Sequence, residues 1–290
     1  MTELVFLKLG GSLITDKSSP YTPRLDILAD LAQQIARVKR SKPELSIIVG
    51  HGSGSFGHTA AKEFKTKEGL PESISFRSSF PPAHWMGTPN GDREAWDNYW
   101  RGFAEVWFQA SALDRLVMEA LRAAGVASVA LAPVAAVFSD KGEISSWQLA
   151  PLKAAMTAGL LPVVYGDVIF DGSTGGTIFS TEDLFSYLAK DLRPYRILLA
   201  GSEPGVWAHF PERDRILEKI TPSSMDLIGG GVGVSHAADV TGGMKTKVQR
   251  MLDLVQANQD MKVQIFSGLK PRNLQRALEG EQIGTEISLK

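Results

Sequence analysis

The residues able to do chemistry in this chain lie beside glycines. In "SIIVGHGSGSFGHT", residues 46 to 59, an apolar run breaks into Gly52, Gly54 and Gly57 and then reaches His58. The spacing satisfies the dinucleotide fingerprint G-x-G-x-x-G. It also satisfies the P-loop pattern G-x-x-x-x-G-K-T, except that His58 stands in the place of the lysine. The first reading needs a buried strand leading to an acidic residue about 20 positions on. Glu72 is in range, but "KEGLPESISFRSS" offers no such strand. The second needs a permanent cation, and a histidine is shorter and only part-protonated near neutral pH. Alone, this loop would be a tight turn with His58 capping a helix.

The loop is not alone. "KLGGS", Lys8 to Ser12, is a second glycine turn directly after a strand, with Lys17 a few residues beyond. "DVTGGMKTK" supplies a third pair, Gly242 and Gly243, ahead of a helix carrying Lys245 and Lys247. Successive backbone N–H groups in such turns form concavities for anions. One lysine beside one turn is ordinary surface charge. Lysines beside three turns at strand or helix ends point to a basket for several phosphates.

Other polar residues carry less. Asp183 sits in the first turn of a helix, "STEDLFSYLA", where an acid is favourable regardless of catalysis. Asp167, after Gly166, is either a solvated loop residue or part of a ligand site. His51 reads as structural. His84, His209 and His236 lack ligand spacing to one another, so no zinc or other metal site is expected.

These residues need a scaffold of strands ending at glycine turns. Val5 to Leu9 and "LSIIVG" read as buried strands flanking an amphipathic helix with Leu28, Leu31, Ile35 and Val38 at spacings of three and four. "ASVALAP", "LLPVVYGDVIFD", "RILLAG" and "VQIFSG" read as further strands. "MKTKVQRMLDLV" reads as a helix burying Met244, Val248, Met251 and Val255. Strands alternating with helices predict an α/β fold, a three-layer sandwich with a mainly parallel central sheet. A helical stretch over 96–124 carries Trp100, Phe103, Trp107 and Phe108, a stripe that serves as core or, in part, lines an apolar slot. The linker-like "DGSTGGT" suggests lobes of 1–175 and 176–290.

Composition narrows the partners. The 290 residues carry a formal net charge of −1, with 43% hydrophobic and 22% charged residues. There is no global basic field for nucleic acid or anionic membranes. The absence of cysteine excludes disulfide frameworks and thiolate metal sites. "MTELVFLKLGGSL" lacks the features of a signal peptide, and no apolar run approaches a bilayer span, so a cytoplasmic protein is expected.

The combination of "FLKLGGSLITDK", "HGSGSFGH", "PVVYGDVIFD", "TEDLFSYLA", "DVTGGMKTK" and the terminal "GTEI" resembles the amino acid kinase superfamily. "GSFGH" together with "GGSLITDK" is similar to isopentenyl phosphate kinases and to the related fosfomycin-modifying kinases. The resemblance implies ATP and Mg²⁺ as cofactors, isopentenyl phosphate as acceptor, and a homodimer. It implies that the loop ending at His58 holds the acceptor's phosphate, with Gly54 and Gly166 backbone groups around it. Lys8, Gly10 and Gly11 would cradle the transferring phosphoryl group and Lys17 would neutralise it. Asp183 would orient the lysines, and Lys245, with Gly243 and Gly205, would serve the nucleotide. On the nucleotide side the chain departs from the superfamily's acidic D-x-D-G-V run, carrying "GSEPGVW" with Ser202 and Pro204 instead. Three alternatives stay open: a kinase for another small phosphate or phosphonate such as fosfomycin, a non-catalytic nucleotide-binding regulator, and a Rossmann oxidoreductase.

Overall fold

A computed structural model describes residues 3–70, 93–209, 212–225 and 243–289. In order, the chain forms β1 (Leu4–Leu9), α1 (Gly11–Ile14), α2 (Leu25–Ser41), β2 (Ser46–His51), α3 (Gly54–Phe64), α4 (Arg93–Ala123), β3 (Ser128–Ala130), β4 (Val137–Asp140), β5 (Glu143–Trp147) and α5 (Ala150–Thr157). It continues through β6 (Leu161–Tyr165), β7 (Asp167–Asp171), β8 (Gly175–Phe179), α6 (Thr181–Leu192), β9 (Arg196–Gly201), β10 (Val206–Trp207), β11 (Ile216–Leu217) and β12 (Lys219–Ile220). The last elements are α7 (Pro222–Met225), α8 (Met244–Ala257), β13 (Lys262–Ser267), α9 (Asn273–Glu279) and β14 (Thr285–Ile287).

Eight strands join in the order β12-β14-β13-β9-β1-β2-β6-β3. The pairings are parallel except that between β13 and β14. Successive side chains of a strand face opposite sides, and β1 shows the consequence. Val5, Leu7 and Leu9 enter one core with α2, the C-terminal half of α4 and α9. Phe6 enters the other with α6 and α8. Both faces are therefore covered, which is why β1, β2, β6 and β9 read as continuous apolar runs. The expected α/β sandwich with a mainly parallel sheet is what the chain forms. The periodicity of α2 is realised too, with Leu28, Leu31, Ile35 and Val38 all buried.

From β1 the sheet grows through β2, β6 and β3 on one side and through β9 and β13 on the other. Such a reversal opens a crevice at the carboxyl ends of the strands. The glycine turns after β1 and β2 open there. A smaller sheet, β5-β4-β7-β8, flanks it. The linker-like "DGSTGGT" turns out to be the tip of the β7–β8 hairpin. Burial would push the Asp171 carboxyl up, but amides of Gly142, Ser173 and Thr174 and the Ser139 hydroxyl hold it down at about 2. Among the described residues no helix is long and apolar enough to cross a membrane.

Helix α6 is fastened to the sheet by Phe185, fully buried with its ring centroid 5.0 Å from that of Phe6. Truncating it leaves a void under the helix that positions the site. Phe185→Ala is expected to cost about 3–5 kcal/mol in urea unfolding, well above the effect of trimming the exposed Phe108.

Candidate active site

The cleft at the strand ends has a volume of about 140 Å³. Lys8, Gly10, Gly11, Ser12 and Lys17 reach it from the end of β1 and the turn beyond, and Gly52, Ser53 and His58 from the end of β2. Gly166 lines it after β6, and Ala200 to Glu203 after β9. Thr181 and Glu182 close it from the start of α6, and Lys247 and Arg250 from α8.

At its centre a carboxylate joins two ammonium groups. Lys8 shares a strand face with Phe6, so its side chain emerges toward α6 and α8. There its Nζ donates to the Glu182 carboxylate, and Lys247 Nζ lies 3.5 Å from the other Glu182 oxygen. Glu182 is 5% exposed. Burial would push its carboxyl up. The Lys8 and Lys247 charges and the Lys8 hydrogen bond outweigh that and hold it well below the usual carboxylate range. One anion against two cations leaves positive charge facing the cleft.

Asp183 does not take the role expected of it. Its carboxylate accepts from the Ser180 amide at 2.7 Å while the Ser180 hydroxyl accepts from the Asp183 amide at 3.2 Å, a capping box for α6. Its other oxygen meets Arg250 Nη1 at 2.6 Å. Reciprocal capping turns Asp183 back over the helix end, and the preceding acid, Glu182, faces the lysines instead. Ser180 and Asp183 stand at the serine-to-acid spacing of a capping box, the signal that could have separated them.

Lys245 is exposed and lies outside the cleft lining, whereas Lys247 lies in it. On α8, Lys247 is three residues from Met244 and four from buried Met251, so it shares their face, turned to the core. Gly243 is the N-cap of α8, and Gly205 packs against Thr285; neither lines the cleft. Gly242 lies outside the described residues, as do His84 and His236.

The glycines of the first two turns serve each other before any ligand. A Cβ on Gly11 would lie 2.6 Å from the backbone of Gly54, and one on Gly52 would lie 3.0 Å from the Gly11 nitrogen. Gly54 itself has φ +53°, a left-handed conformation that suits glycine, and is buried against Thr15. Gly52 and Ser53 reach the cleft and Gly54 does not. Two of the expected amide donors are engaged elsewhere: Gly10 N–H donates to Ala200 O at 2.8 Å and Gly166 N–H to His51 O at 3.0 Å. Lys17 stands exposed at the rim, and His58 is half-buried in the wall.

Behind His58 is a second hollow of about 20 Å³, walled partly by Ala61, Val106 and Ile178. That is room for about one water molecule. None of the four aromatics of the α4 stripe lines it. Trp100 and Phe103 pack on Phe170, with centroids 6.0 and 4.8 Å away. Trp107 and Phe108 face outward.

Two carboxyl groups nearby stand outside the expected catalytic set. Glu203 lines the cleft beyond β9, held by Trp207 Nε1 at 2.8 Å and Arg213 at 3.5 Å. Asp167 is 1% exposed, neither solvated nor in the cleft lining, and its Oδ2 has no hydrogen-bond partner among the described residues. Burial pushes its carboxyl up to about 7, against bonds from the Val168 and Val134 amides and with a further push from Asp114. Between pH about 4 and 7 the folded chain holds this proton and the unfolded chain has released it, so stability falls as pH rises through that window. Asp167→Asn is expected to flatten the fall, raising Tm more at pH 8 than at pH 5; equal shifts at both would show that the carboxyl titrates normally.

Comparison with known proteins agrees with this architecture. The sequence profile of the amino acid kinase family matches residues 3–267. The isopentenyl phosphate kinase of Methanocaldococcus jannaschii is 29% identical over 290 residues, 98% of each chain. That of Haloferax volcanii is 32% identical over 286 residues, again 98% of each. An X-ray structure of an isopentenyl phosphate kinase superposes with a TM-score of 0.78 at 26% identity, covering 99% of this chain and 100% of the other. The strand-end cleft, its lysines and the full-length match agree: the chain belongs to the amino acid kinase family, in its isopentenyl phosphate kinase group.

Proposed function

We propose that the protein transfers the γ-phosphoryl group of ATP to isopentenyl phosphate, giving isopentenyl diphosphate and ADP. The observation that carries this is the sharing of one buried carboxylate by Lys8 and Lys247 in the same cleft as His58. Phosphoryl transfer asks for positioning and charge stabilisation rather than covalent chemistry. Two ammonium groups on one carboxylate supply the charge without needing to move.

An oxygen of the acceptor phosphate attacks the γ-phosphorus. The new P–O bond forms as the bond to the β–γ bridging oxygen breaks, and that electron pair leaves with ADP. His58, with the backbone of Ser53, holds the acceptor phosphate and leaves one of its oxygens free. Lys8 and the Gly11 turn hold the transferring group, and Lys17 reaches it from the rim. Lys247 meets the donor's phosphates in the place foreseen for Lys245. Glu182 keeps both inner lysines aimed.

Lysines and Arg250 outnumber carboxylates in the cleft, and no metal-binding cluster of acids and histidines occurs among the described residues. With that donor set, a Mg²⁺ would be brought by the nucleotide and would offset phosphate charge beside Lys8 and Lys247. The same reading assigns residues 1–175 to the acceptor and 176–290 to the nucleotide, in a cytoplasmic homodimer. The narrow hollow behind His58 favours a second reading, a kinase for a shorter phosphate or phosphonate such as fosfomycin.

The test is ADP release with ATP and Mg²⁺ on isopentenyl phosphate, fosfomycin and isopentenol at equal concentration. Turnover on isopentenyl phosphate alone is expected; preference for fosfomycin would establish the second reading, and silence on all three would remove both. His58→Ala is expected to raise the acceptor KM about 10-fold or more with little change in the ATP KM. Glu182→Gln is expected to lower kcat by about 100-fold, and an active Glu182→Gln would detach the lysine pair from catalysis.

A further inference from the structure

His51 was read as structural, and its surroundings assign it more. It is fully buried at the end of β2, directly before Gly52 and Ser53 of the acceptor loop. Its carbonyl accepts from Gly166 N–H at 3.0 Å and from the Thr181 hydroxyl at 2.6 Å. Its ring stacks on Tyr165, centroids 5.3 Å apart and planes at 17°. Nδ1 lies 3.2 Å from the Gly52 carbonyl and Nε2 3.1 Å from Asp114 Oδ1 on α4. One residue thus ties the acceptor loop to the end of β6, the start of α6 and the long helix.

Each ring nitrogen has an oxygen partner, the Gly52 carbonyl at Nδ1 and the Asp114 carboxylate at Nε2, so the imidazole is fixed from both edges. Such a buried unit is rigid when whole and costly when halved.

Asp114 belongs to a stripe that leads back to the acceptor. Val106, Ala110 and Asp114 recur every four residues on the buried face of α4. Val106 walls the hollow behind His58. The helix that bounds the space behind the acceptor phosphate therefore also grips the root of the loop that holds it.

We propose that the buried His51–Asp114 pair is a positioning device for the acceptor side of the cleft, locking α4 to the Gly52–Ser53 turn and the start of α3, which carries His58, so that the phosphate-holding groups stand at a fixed distance from the tail-facing wall. This rests on the proposed reaction for the identity of the acceptor. His51 and Asp114 touch no reactant; they act through Gly52, Ser53 and His58. Their effect falls on the acceptor because Lys8, Glu182 and Lys247 are held by their own bonds across the cleft.

The test compares Asp114→Leu, which removes the bond to Nε2, with Asp114→Asn, whose amide can keep it. Asp114→Leu is expected to raise the acceptor KM about 10-fold, with the ATP KM within about 2-fold and Asp114→Asn close to wild type. An unchanged acceptor KM, or an equal rise in both KM values, would overturn the proposal. If Asp114→Leu fails to fold, His51→Asn makes the same cut from the other side and is judged by the same split. If the wild-type protein does not turn over isopentenyl phosphate, the proposed reaction falls and the positioning role is judged by itself. Inorganic phosphate is then titrated against the amide resonances of residues 52–58: weakening by about 10-fold in Asp114→Leu upholds the role, and unchanged binding overturns it.

Discussion

Two ammonium groups held on one buried carboxylate are the constraint around which the cleft is arranged. Glu182, Lys8 and Lys247 come from three elements, and the buried Glu182 carboxylate stays ionised because the two lysines face it. The two-residue period of β1 sends Lys8 to the α6 face. The first turn of α6 brings Glu182 to the strand ends, where the helix dipole also favours an anion. The three-residue step from Met244 places Lys247 on the inner face of α8. Removing Glu182 would leave the buried Lys8 without its carboxylate, so the contact fixes where β1 meets the start of α6.

The glycines work differently. Gly11 and Gly54 touch backbone to backbone, and the Cβ of any other residue at Gly11 would occupy the space of the facing chain. That contact brings the turn after β1 and the turn after β2 together across one strand spacing. Groups positioned by the two turns are thereby held within reach of each other, a geometry suited to in-line transfer between neighbouring anions. The capping box of Ser180 and Asp183 completes the arrangement by fixing where α6 begins.

How much of this was legible depends on which physics decides each residue. Alternating apolar strands and helices announced the sandwich, and Lys8, Lys17 and His58 followed from their nearness to glycine turns at strand ends. Periodicity could also have preferred Lys247 to Lys245, because the buried stripe of α8 passes beside the former. The choice between Glu182 and Asp183 rests on one hydrogen-bonded turn, a scale at which neighbouring acids look alike until the cap is recognised. Gly10 and Gly166 were visible as glycines but not as donors already engaged. What a backbone amide bonds to is a tertiary fact. His51 was discounted because a lone histidine before a turn carries no pattern; its partner, Asp114, is 63 positions away on α4.

In the proposed reaction the two sides of the cleft solve different problems. On the donor side charge must be supplied, and most local pairs cancel: Arg250 meets Asp183 and Glu203 meets Arg213, leaving Lys8, Lys17 and Lys247 in excess over Glu182. On the acceptor side position must be supplied, and the His51–Asp114 pair supplies it through directional contacts at both ring nitrogens. A hydrophobic plug could fill the same space but could not fix the Gly52 carbonyl and the α4 stripe at once. A single charged residue could fix them only by competing with the lysines for the phosphates.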